Sequence, residues 1–206
     1  MGRVAPLQER GKIAERNIIN AAQQAFAEHG YSGARVADIV KLAGSSTGSF
    51  YFRFKNKDAL FEFMLDDFID KSRRVLAQVP VNFNSLPELL EWQVTQHASL
   101  LEQNHGFYRA VNEVSISNPA TWNTLRLLTS EIAASVVLSA APFKDVITAP
   151  NWQQAVFSAV EFISGNLTNQ ASHHKESILN SKKNIDLHVR ASMGIMGVFV
   201  DYRTLP

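Results

Sequence analysis

The chain has no cysteine, and its 206 residues include only 10 glycines and 7 prolines. The absence of cysteine excludes a disulfide framework and any metal site built on thiolates. The low glycine and proline content, together with 46% apolar residues, excludes a disordered or collagen-like chain and indicates a buried core. A chain of this length is expected to form one domain or two small ones.

Long apolar runs are also lacking. The stretch from Met1 to Arg16 is polar and charged, and the sequence shows no run of about 18 apolar residues. The sequence therefore predicts a cytoplasmic protein with no secretory signal and no membrane partner.

The common catalytic motifs are missing as well. The sequence contains no Gly-x-Ser-x-Gly, no phosphate-loop lysine after a glycine-rich stretch and no His-Glu-x-x-His. Ser172 to Lys175 matches Ser-x-x-Lys but lacks the companion motifs, and the pair His173-His174 is most simply part of a solvated loop. We therefore predict no enzyme activity, no cofactor and no metal site.

Charge is distributed unevenly along the chain. Residues 1–60 hold nine Lys and Arg against five Asp and Glu, a surplus of 9 − 5 = +4, whereas residues 61–206 have 11 − 14 = −3. Because contacts to phosphates supply much of the affinity of DNA-binding proteins, the basic N-terminal part indicates a nucleic-acid partner.

The periodicity of apolar residues predicts helices throughout the chain and no strands. Breaks fall at glycine and proline, and capping residues such as Ser46, Asn56, Ser85 and Asn118 mark helix starts. The predicted helices span residues 12–29, 36–42, 46–52, 57–79, 86–103, 107–116, 119–140, 150–169 and 184–203. The sequence therefore predicts an all-α fold of about nine helices.

The stretch from Ile39 to Leu60 has the pattern of a helix, a tight turn and a second short helix. Gly44 supplies the turn, and Ser46 can cap the next helix. Phe50 and Phe54 are four residues apart, so one face of that helix can anchor in a core. The opposite face presents small hydroxyls and a cation, which suits a helix that reads base edges in the DNA major groove.

Residues 13–60 resemble the DNA-binding domain of the tetracycline-repressor (TetR) family of bacterial transcription regulators. Two positions depart from the family pattern: Arg35 replaces the usual capping Thr or Ser, and Ser45 replaces an apolar residue. The residues that carry the resemblance are Ile19, Ala22, Phe26, Gly30, Tyr31, Val36, Ile39, Ala43, Gly44, Ser46, Gly48, Tyr51, Phe54, Lys57 and Leu60.

The resemblance implies a three-helix helix-turn-helix DNA-binding domain over residues 1–60, followed by a helical bundle over 61–206 that binds a ligand and dimerises. It implies a homodimeric repressor that binds a palindromic double-stranded operator and is released by a small-molecule effector. Activation of transcription is the less common mode of regulation in this family. The alternative is a helical interaction or ligand-sensing protein whose helix-turn-helix no longer reads specific DNA.

Seven residues are predicted to bind DNA. The side chain of Tyr51 either closes the core or also meets a phosphate, as in the family, and Lys57 is either a phosphate contact at a helix N-terminus or an ordinary surface lysine. Arg35 offers a further phosphate contact. The predicted DNA-binding residues are Arg35, Ser46, Thr47, Ser49, Tyr51, Arg53 and Lys57.

The second domain carries large or polar side chains on helices expected to face one another. Pockets between bundled helices are mostly apolar with a few polar anchors, which favours an apolar or amphipathic effector. For each of these residues an ordinary core or surface position is the alternative. The predicted ligand-binding residues are Trp92, His97, Phe107, Tyr108, Asn112, Trp122 and Phe162.

Helix 9 repeats small residues at every third position, and glycine inside a helix costs about 1 kcal/mol relative to alanine. Such glycines indicate close approach by another backbone, either that of a second subunit or one within the same subunit. The resemblance implies that the last two helices form a four-helix dimer interface. The predicted interface residues are Val156, Val160, Ile163, Ala191, Gly194 and Gly197.

Overall fold

The computed structural model describes residues 7–80, 82–173 and 178–198, and over these ranges it contains helices and no strand. The all-α prediction is confirmed. The helices are α1 (Leu7–Gly33), α2 (Val36–Leu42), α3 (Thr47–Arg53), α4 (Lys57–Leu76), α5 (Leu86–Gln103), α6 (His105–Ser117), α7 (Pro119–Ala140), a 3-10 helix (Ala141–Val146), α8 (Trp152–His173) and α9 (Lys182–Ile195).

The chain divides into two compact units. The first unit combines the residues up to Asp70 with Asn104–Thr121, and the second combines Lys71–Gln103 with the residues from Trp122 onward. The first unit therefore contains α1, α2, α3, most of α4 and all of α6. The predicted division into residues 1–60 and 61–206 concerns function and stays a prediction, whereas the compact units describe packing.

In the first unit, α6 packs along α1. A Cβ atom placed on Gly106 would lie 1.8 Å from the carbonyl oxygen of Gln23, so the two backbones approach too closely for any side chain there. The backbone N–H of Phe107 donates to Gln23 Oε1 (2.7 Å), and Arg109 Nη1 donates to the carbonyl oxygen of Ala27 (2.6 Å). These contacts fix α6 against the helix that supports the helix-turn-helix.

Helix α1 is interrupted at Gly30, where the sequence predicts that the helix ends. Gly30 has φ 71° and ψ 176°, a conformation that essentially only glycine adopts. The carboxylate of Glu113 on α6 covers this break, where Glu113 Oε2 accepts from the backbone N–H of Ser32 at 2.9 Å. The expected turn at Tyr31–Gly33 is instead a further helical turn.

The predicted helix caps are present. Ser46 Oγ accepts from Ser49 N (3.1 Å), Asn56 Oδ1 accepts from Ala59 N (2.8 Å), and Asn118 Oδ1 accepts from Ala120 N (3.2 Å). Arg35 makes no capping hydrogen bond to α2. This result is expected, because a guanidinium group cannot accept a hydrogen bond. Each cap satisfies a backbone donor that the helix start leaves without an intrahelical partner.

Two glycines end helices in the left-handed conformation, Gly44 with φ 57° and Gly197 with φ 72°. After Gly197, Val198 N donates to Met193 O (2.9 Å), which is the hydrogen bond of a Schellman motif. Gly197 therefore terminates α9 and does not lie inside the predicted helix, whereas its place in a dimer interface stays a prediction. Helix α9 spans Lys182–Ile195 rather than 184–203, and residues 199–203 lie outside the described part of the chain.

The other helix ends differ less from the sequence prediction. Helix α1 begins at Leu7 instead of 12, because Gly11 does not interrupt it, and α4 ends at Leu76 instead of 79. Helix α8 continues to His173, into the stretch expected to be a polar loop. The polar residues there are compatible with a helical surface, so polarity alone did not mark a loop.

One stretch, Pro119–Val146, has the length and apolar content of a membrane span, with a mean hydropathy of 1.3. This finding differs from the expectation that no segment qualifies. A single such helix is weak evidence, because core helices meet the same test. A third of the window is buried, including Leu125, Leu128 and Val136, whereas Leu127 and Leu138 of α7 are exposed.

We expect Gly30→Ala to lower the free energy of unfolding by about 2 kcal/mol, because the new methyl group would enforce a strained backbone and meet Glu113 Oε1 at 1.9 Å. Urea denaturation followed by circular dichroism measures this change. Gly48→Ala is the matched control: its Cβ would meet only Ser46 Oγ at 4.0 Å, so this helical position should gain about 1 kcal/mol. Equal stability of both variants would contradict the account.

Candidate nucleic-acid interface

Helix α3 is anchored on one side by two phenylalanines. Phe50 is fully buried and Phe54 nearly so, and their ring centroids lie 5.8 Å apart. The ring of Phe50 also meets Tyr51 edge-on at 5.3 Å. The buried side of α3 therefore fixes which residues face outward.

The outward side of α3 presents Thr47, Gly48, Tyr51 and Phe52, all of which are exposed. Tyr51 is 53% exposed and Phe52 is 86% exposed. The structure is thus compatible with both roles predicted for Tyr51. Its ring packs on Phe50 in the core, and much of its side chain is accessible for a phosphate contact. Thr47 and Tyr51 are placed where a base or phosphate contact requires them, and their contact with DNA stays a prediction.

Arg53 and Ser49 are bonded to each other. Arg53 Nη1 donates to both the carbonyl oxygen and the Oγ of Ser49, each at 2.8 Å, and Nη2 donates to the carbonyl oxygen of Gly11 at 3.3 Å. The guanidinium thereby links α3 to the first turns of α1. Arg53 and Ser49 are half-buried, and the structure gives both a role in positioning α3.

The ammonium of Lys57 is also used within the first unit. Its Nζ donates to the carbonyl oxygens of Tyr31 (2.6 Å) and Ala34 (2.9 Å) and lies 4.4 Å from the centroid of the Tyr31 ring. Burial lowers the pKa of Lys57, and the charges of Asp58 and Glu113 oppose that shift. Two of its three N–H protons therefore bind carbonyls at the end of α1, a structural role that the sequence did not predict.

Tyr31 completes this junction between α1 and α4. Its hydroxyl donates to Asp58 Oδ1, and its ring centroid lies 5.5 Å from that of Phe26 and 5.4 Å from that of Phe61. Burial, then the hydrogen bond and charge of Asp58, raise the pKa of Tyr31. The hydroxyl group stays protonated and holds the start of α4 in place.

Three exposed cations lie in the segments that flank α3 along the chain. Arg35, Lys41 and Lys55 are exposed. Of these, only Arg35 was predicted as a DNA contact. Phe52 was missed entirely, although helical arithmetic offered a signal: a residue two positions after the buried Phe50 points about 200° away from it.

The predicted ligand-binding residues are divided between the two units. Phe107, Tyr108 and Asn112 belong to the first unit, where Phe107 stacks on Phe61 and Phe68 at centroid distances of 5.7 and 5.3 Å. Phe107 and Tyr108 are at most 5% exposed. These two aromatic residues are part of the packed core of the first unit, which is the alternative that the sequence left open.

The remaining predicted ligand-binding residues, Trp92, His97, Trp122 and Phe162, lie in the second unit. Trp92 lines a groove of about 350 Å³ together with Phe83, whose ring centroid is 6.0 Å away. The groove is also lined by Pro80, Asn82, Glu88, Glu91, Thr95 and Gln96. Phe162 lies 5.9 Å from the ring of the buried His188 and is 37% exposed.

His97 is half-buried on α5 and is kept neutral by its surroundings. Burial lowers the pKa of His97 to about 4, and the like charge of His188 adds to the shift. His188 is 1% exposed and contacts Asn184 O at 2.7 Å and Asn166 Oδ1 at 3.0 Å. The pair forms a polar cluster inside the second unit.

The predicted dimer residues occupy different environments. Val156, Val160 and Ile163, which were predicted to lie in the dimer interface, are at most 1% exposed within one chain and belong to the core of the second unit. Their place in an interface between two copies stays a prediction. Ala191 is half-buried and Gly194 is exposed. A Cβ atom on Gly194 would have no neighbour within 4 Å among the described residues, so their packing does not account for this glycine.

Lys57→Met should lower the free energy of unfolding by about 1–2 kcal/mol, because it removes two hydrogen bonds and leaves the carbonyls of Tyr31 and Ala34 without their donor. Urea denaturation in the absence of DNA measures the effect. Lys55→Met removes a charge of the same sign at an exposed position and should change stability little. Equal free energies of unfolding for Lys57→Met and Lys55→Met would contradict the structural role of Lys57.

His97 predicts a pH dependence of stability. Its pKa of about 4 in the folded chain lies below the ordinary 6.5, so the unfolded chain binds more protons between these values and stability falls as the pH is lowered through that window. We expect a loss of roughly 1–3 kcal/mol between pH 7 and pH 4.5, measured by urea denaturation. His97→Gln should reduce this loss, and an unchanged pH dependence would contradict the assignment.

Comparison with known proteins supports the helix-turn-helix assignment. A family model described as "Bacterial regulatory proteins, tetR family" matches residues 18–64. The Fatty acid metabolism regulator protein of Bacillus subtilis is 32% identical over 102 residues, which cover 48% of this chain and 50% of that protein. The HTH-type transcriptional repressor ComR of Escherichia coli is 35% identical over 63 residues, 30% of each chain. The chain thus spans half or less of the length of these relatives.

Solved structures extend the likeness of fold to nearly the whole chain. Salmonella enterica GusR has a TM-score of 0.65 at 18% identity and covers 95% of this chain and 98% of its own. A bacterial regulatory protein of the tetR family from Rhodococcus RHA1 has a TM-score of 0.69 at 16% identity, over 91% and 98% of the two chains. Residues 18–64 therefore carry a helix-turn-helix of the TetR family of bacterial regulators, and the chain as a whole shares the fold of solved proteins of that family.

Proposed function

We propose that the chain is a cytoplasmic, homodimeric repressor that binds a palindromic DNA operator through α3 and is released by a small-molecule effector. The observation that carries this proposal is the two-sided character of α3. Phe50 and Phe54 bury one side, while Thr47, Gly48 and Tyr51 project from the other. An anchored helix with a small-residue front has the shape needed to enter a major groove.

The charge around α3 supports the same proposal. Arg35 and Lys41 are exposed at the two ends of α2, Lys55 is exposed just after α3, and the first 60 residues carry a surplus of 9 − 5 = +4. Cations on either side of a recognition helix neutralise phosphates, release counterions and fix the register of the helix on the duplex.

The effector is proposed to bind the second unit. Trp92 and Phe83 give the groove of about 350 Å³ an aromatic wall, which suits an apolar or amphipathic molecule. Relatives carry names as different as Fatty acid metabolism regulator protein and A-factor receptor protein. The chemistry of the groove is therefore a better guide to the effector than any one relative.

The dimer face is proposed to lie on the exposed side of α8 and α9. Phe162, Leu187 and Ile195 are 37%, 58% and 37% exposed, and Gly165 and Gly194 have open space where a Cβ would be. Exposed apolar side chains interspersed with glycines allow the helices of a second copy to approach closely. This face replaces the buried positions that the sequence suggested.

A second candidate function is favoured by the contacts of Ser49, Arg53 and Lys57. All three are bonded within the first unit, so three predicted DNA contacts have structural partners instead. An interaction or ligand-sensing protein that no longer reads specific DNA would retain these contacts. Direct binding to duplex DNA separates the two functions.

Fragments of genomic DNA, incubated with the purified full chain at near-physiological salt and then sequenced, test the proposal. We expect recovery of a palindrome whose affinity falls with salt at a slope of about 0.9 per phosphate neutralised. Arg35→Ala should reduce the salt slope by about 0.9, the contribution of one phosphate contact. Glu28→Ala, at an exposed acidic position of α1, should leave the slope unchanged. Recovery of unselective DNA alone would support the second candidate.

Gly194→Leu should dissociate the dimer, because the new side chain would occupy the space into which a second copy packs. Sedimentation velocity gives the mass of the particle. Ala134→Leu, which enlarges an exposed residue of α7 by a similar volume, is the control and should leave the dimer intact. A dimer that survives Gly194→Leu would place the interface on another face.

A further inference from the structure

Phe52 is the one residue of α3 whose exposure the fold does not explain. Its side chain is 86% exposed, the largest exposed fraction of any large apolar side chain in the described part of the chain. Neighbouring aromatic residues of α3 behave differently, since Phe50 is fully buried and Tyr51 packs on Phe50. An exposed apolar ring on the helix proposed to bind DNA indicates that the ring makes a contact when DNA binds.

The position of Phe52 on the helix is the most outward one. Successive residues are about 100° apart, so Phe52 points about 200° from the buried Phe50, and Gly48 lies one turn earlier on the same side. A Cβ atom on Gly48 would meet only Ser46 Oγ at 4.0 Å. The backbone at Gly48 is thus uncovered, and Phe52 stands beside the point where α3 can approach a ligand most closely.

The ring of Phe52 is also held by the protein. The guanidinium carbon of Arg53 lies 5.8 Å from the ring centroid of Phe52. Arg53 is itself fixed by its hydrogen bonds to Ser49 and to the carbonyl oxygen of Gly11. This contact favours one orientation of the ring before any ligand binds, and any such preference reduces the entropy lost on contact.

A phenyl ring offers no hydrogen bond, so it recognises only an apolar group on a base edge. In the major groove that group is the C5-methyl of thymine, whereas the edges of cytosine, adenine and guanine present polar groups that a ring would desolvate. We propose that Phe52 is a specificity-determining residue that packs on a thymine methyl in each half of the operator. This inference rests on the proposed DNA-binding function and adds to it a thymine in each half of the operator.

Replacement of thymine by uracil tests the contact, because it removes the methyl group and leaves base pairing unchanged. The probe is the duplex recovered by selection with the wild-type full chain, with uracil placed at one thymine position of both half-sites at a time. We expect one position at which uracil weakens binding, by about fourfold for each methyl group lost. Fluorescence anisotropy with labelled duplexes measures the affinities.

The protein side of the test uses Phe52→Ala and Phe52→Leu. Phe52→Ala should bind the thymine and uracil duplexes equally, and Phe52→Leu should keep part of the discrimination because its side chain is still apolar. Ile116→Ala, an equally exposed apolar residue of α6 at 85% exposure, is the control and should discriminate as the wild type does. Because Phe52 is exposed, these variants should fold, which circular dichroism verifies.

The outcomes separate the two proposals. A specific duplex that tolerates uracil at every thymine, or a Phe52→Ala variant that still discriminates, would overturn the role of Phe52 and leave the DNA-binding function in place. A Phe52→Ala variant that binds the thymine and uracil duplexes with equal, reduced affinity would support the role of Phe52. Failure to recover any specific duplex would overturn both proposals.

Discussion

A helix of seven residues is too short to persist alone in water, and α3 has that length. Its existence depends on the burial of Phe50 and Phe54 and on the cap that Ser46 supplies. That constraint determines the rest of the first unit. The residues that hold α3 already have partners within the unit, and the residues that remain form its outward surface.

The same constraint changes the meaning of the polar residues near α3. Arg53 ties Ser49 to the start of α1, and Lys57 ties the end of α1 to the start of α4. These groups have the chemistry of DNA contacts, but the structure uses them to position the helix. Under the proposed function, the DNA-facing surface consists of Thr47, Gly48, Tyr51 and Phe52, and the exposed Arg35, Lys41 and Lys55 supply the charge for phosphate contacts.

Local signals in the sequence predicted local structure well. The caps at Asn56 and Asn118 and the turn at Gly44 were readable because each depends on a few adjacent residues. Packing between distant segments was not readable. Nothing local indicates that Gly106 faces the backbone of Gln23, or that Val156 and its neighbours point inward, because helical periodicity shows which residues share a face but not what covers that face. Phe52 was not predicted, although its position two residues after the buried Phe50 places it on the outward side of α3.

The central claim is that DNA meets the outward face of α3, and the variant Gly48→Ala tests it most directly. The added methyl group should leave the chain folded and at least as stable, because Gly48 is helical and its Cβ direction is open. Affinity for the selected duplex, measured by fluorescence anisotropy, should nevertheless fall by about tenfold, equivalent to about 1.4 kcal/mol, since the methyl group would stand between α3 and the bases. Unchanged affinity would contradict the account, because it would place the DNA on another surface.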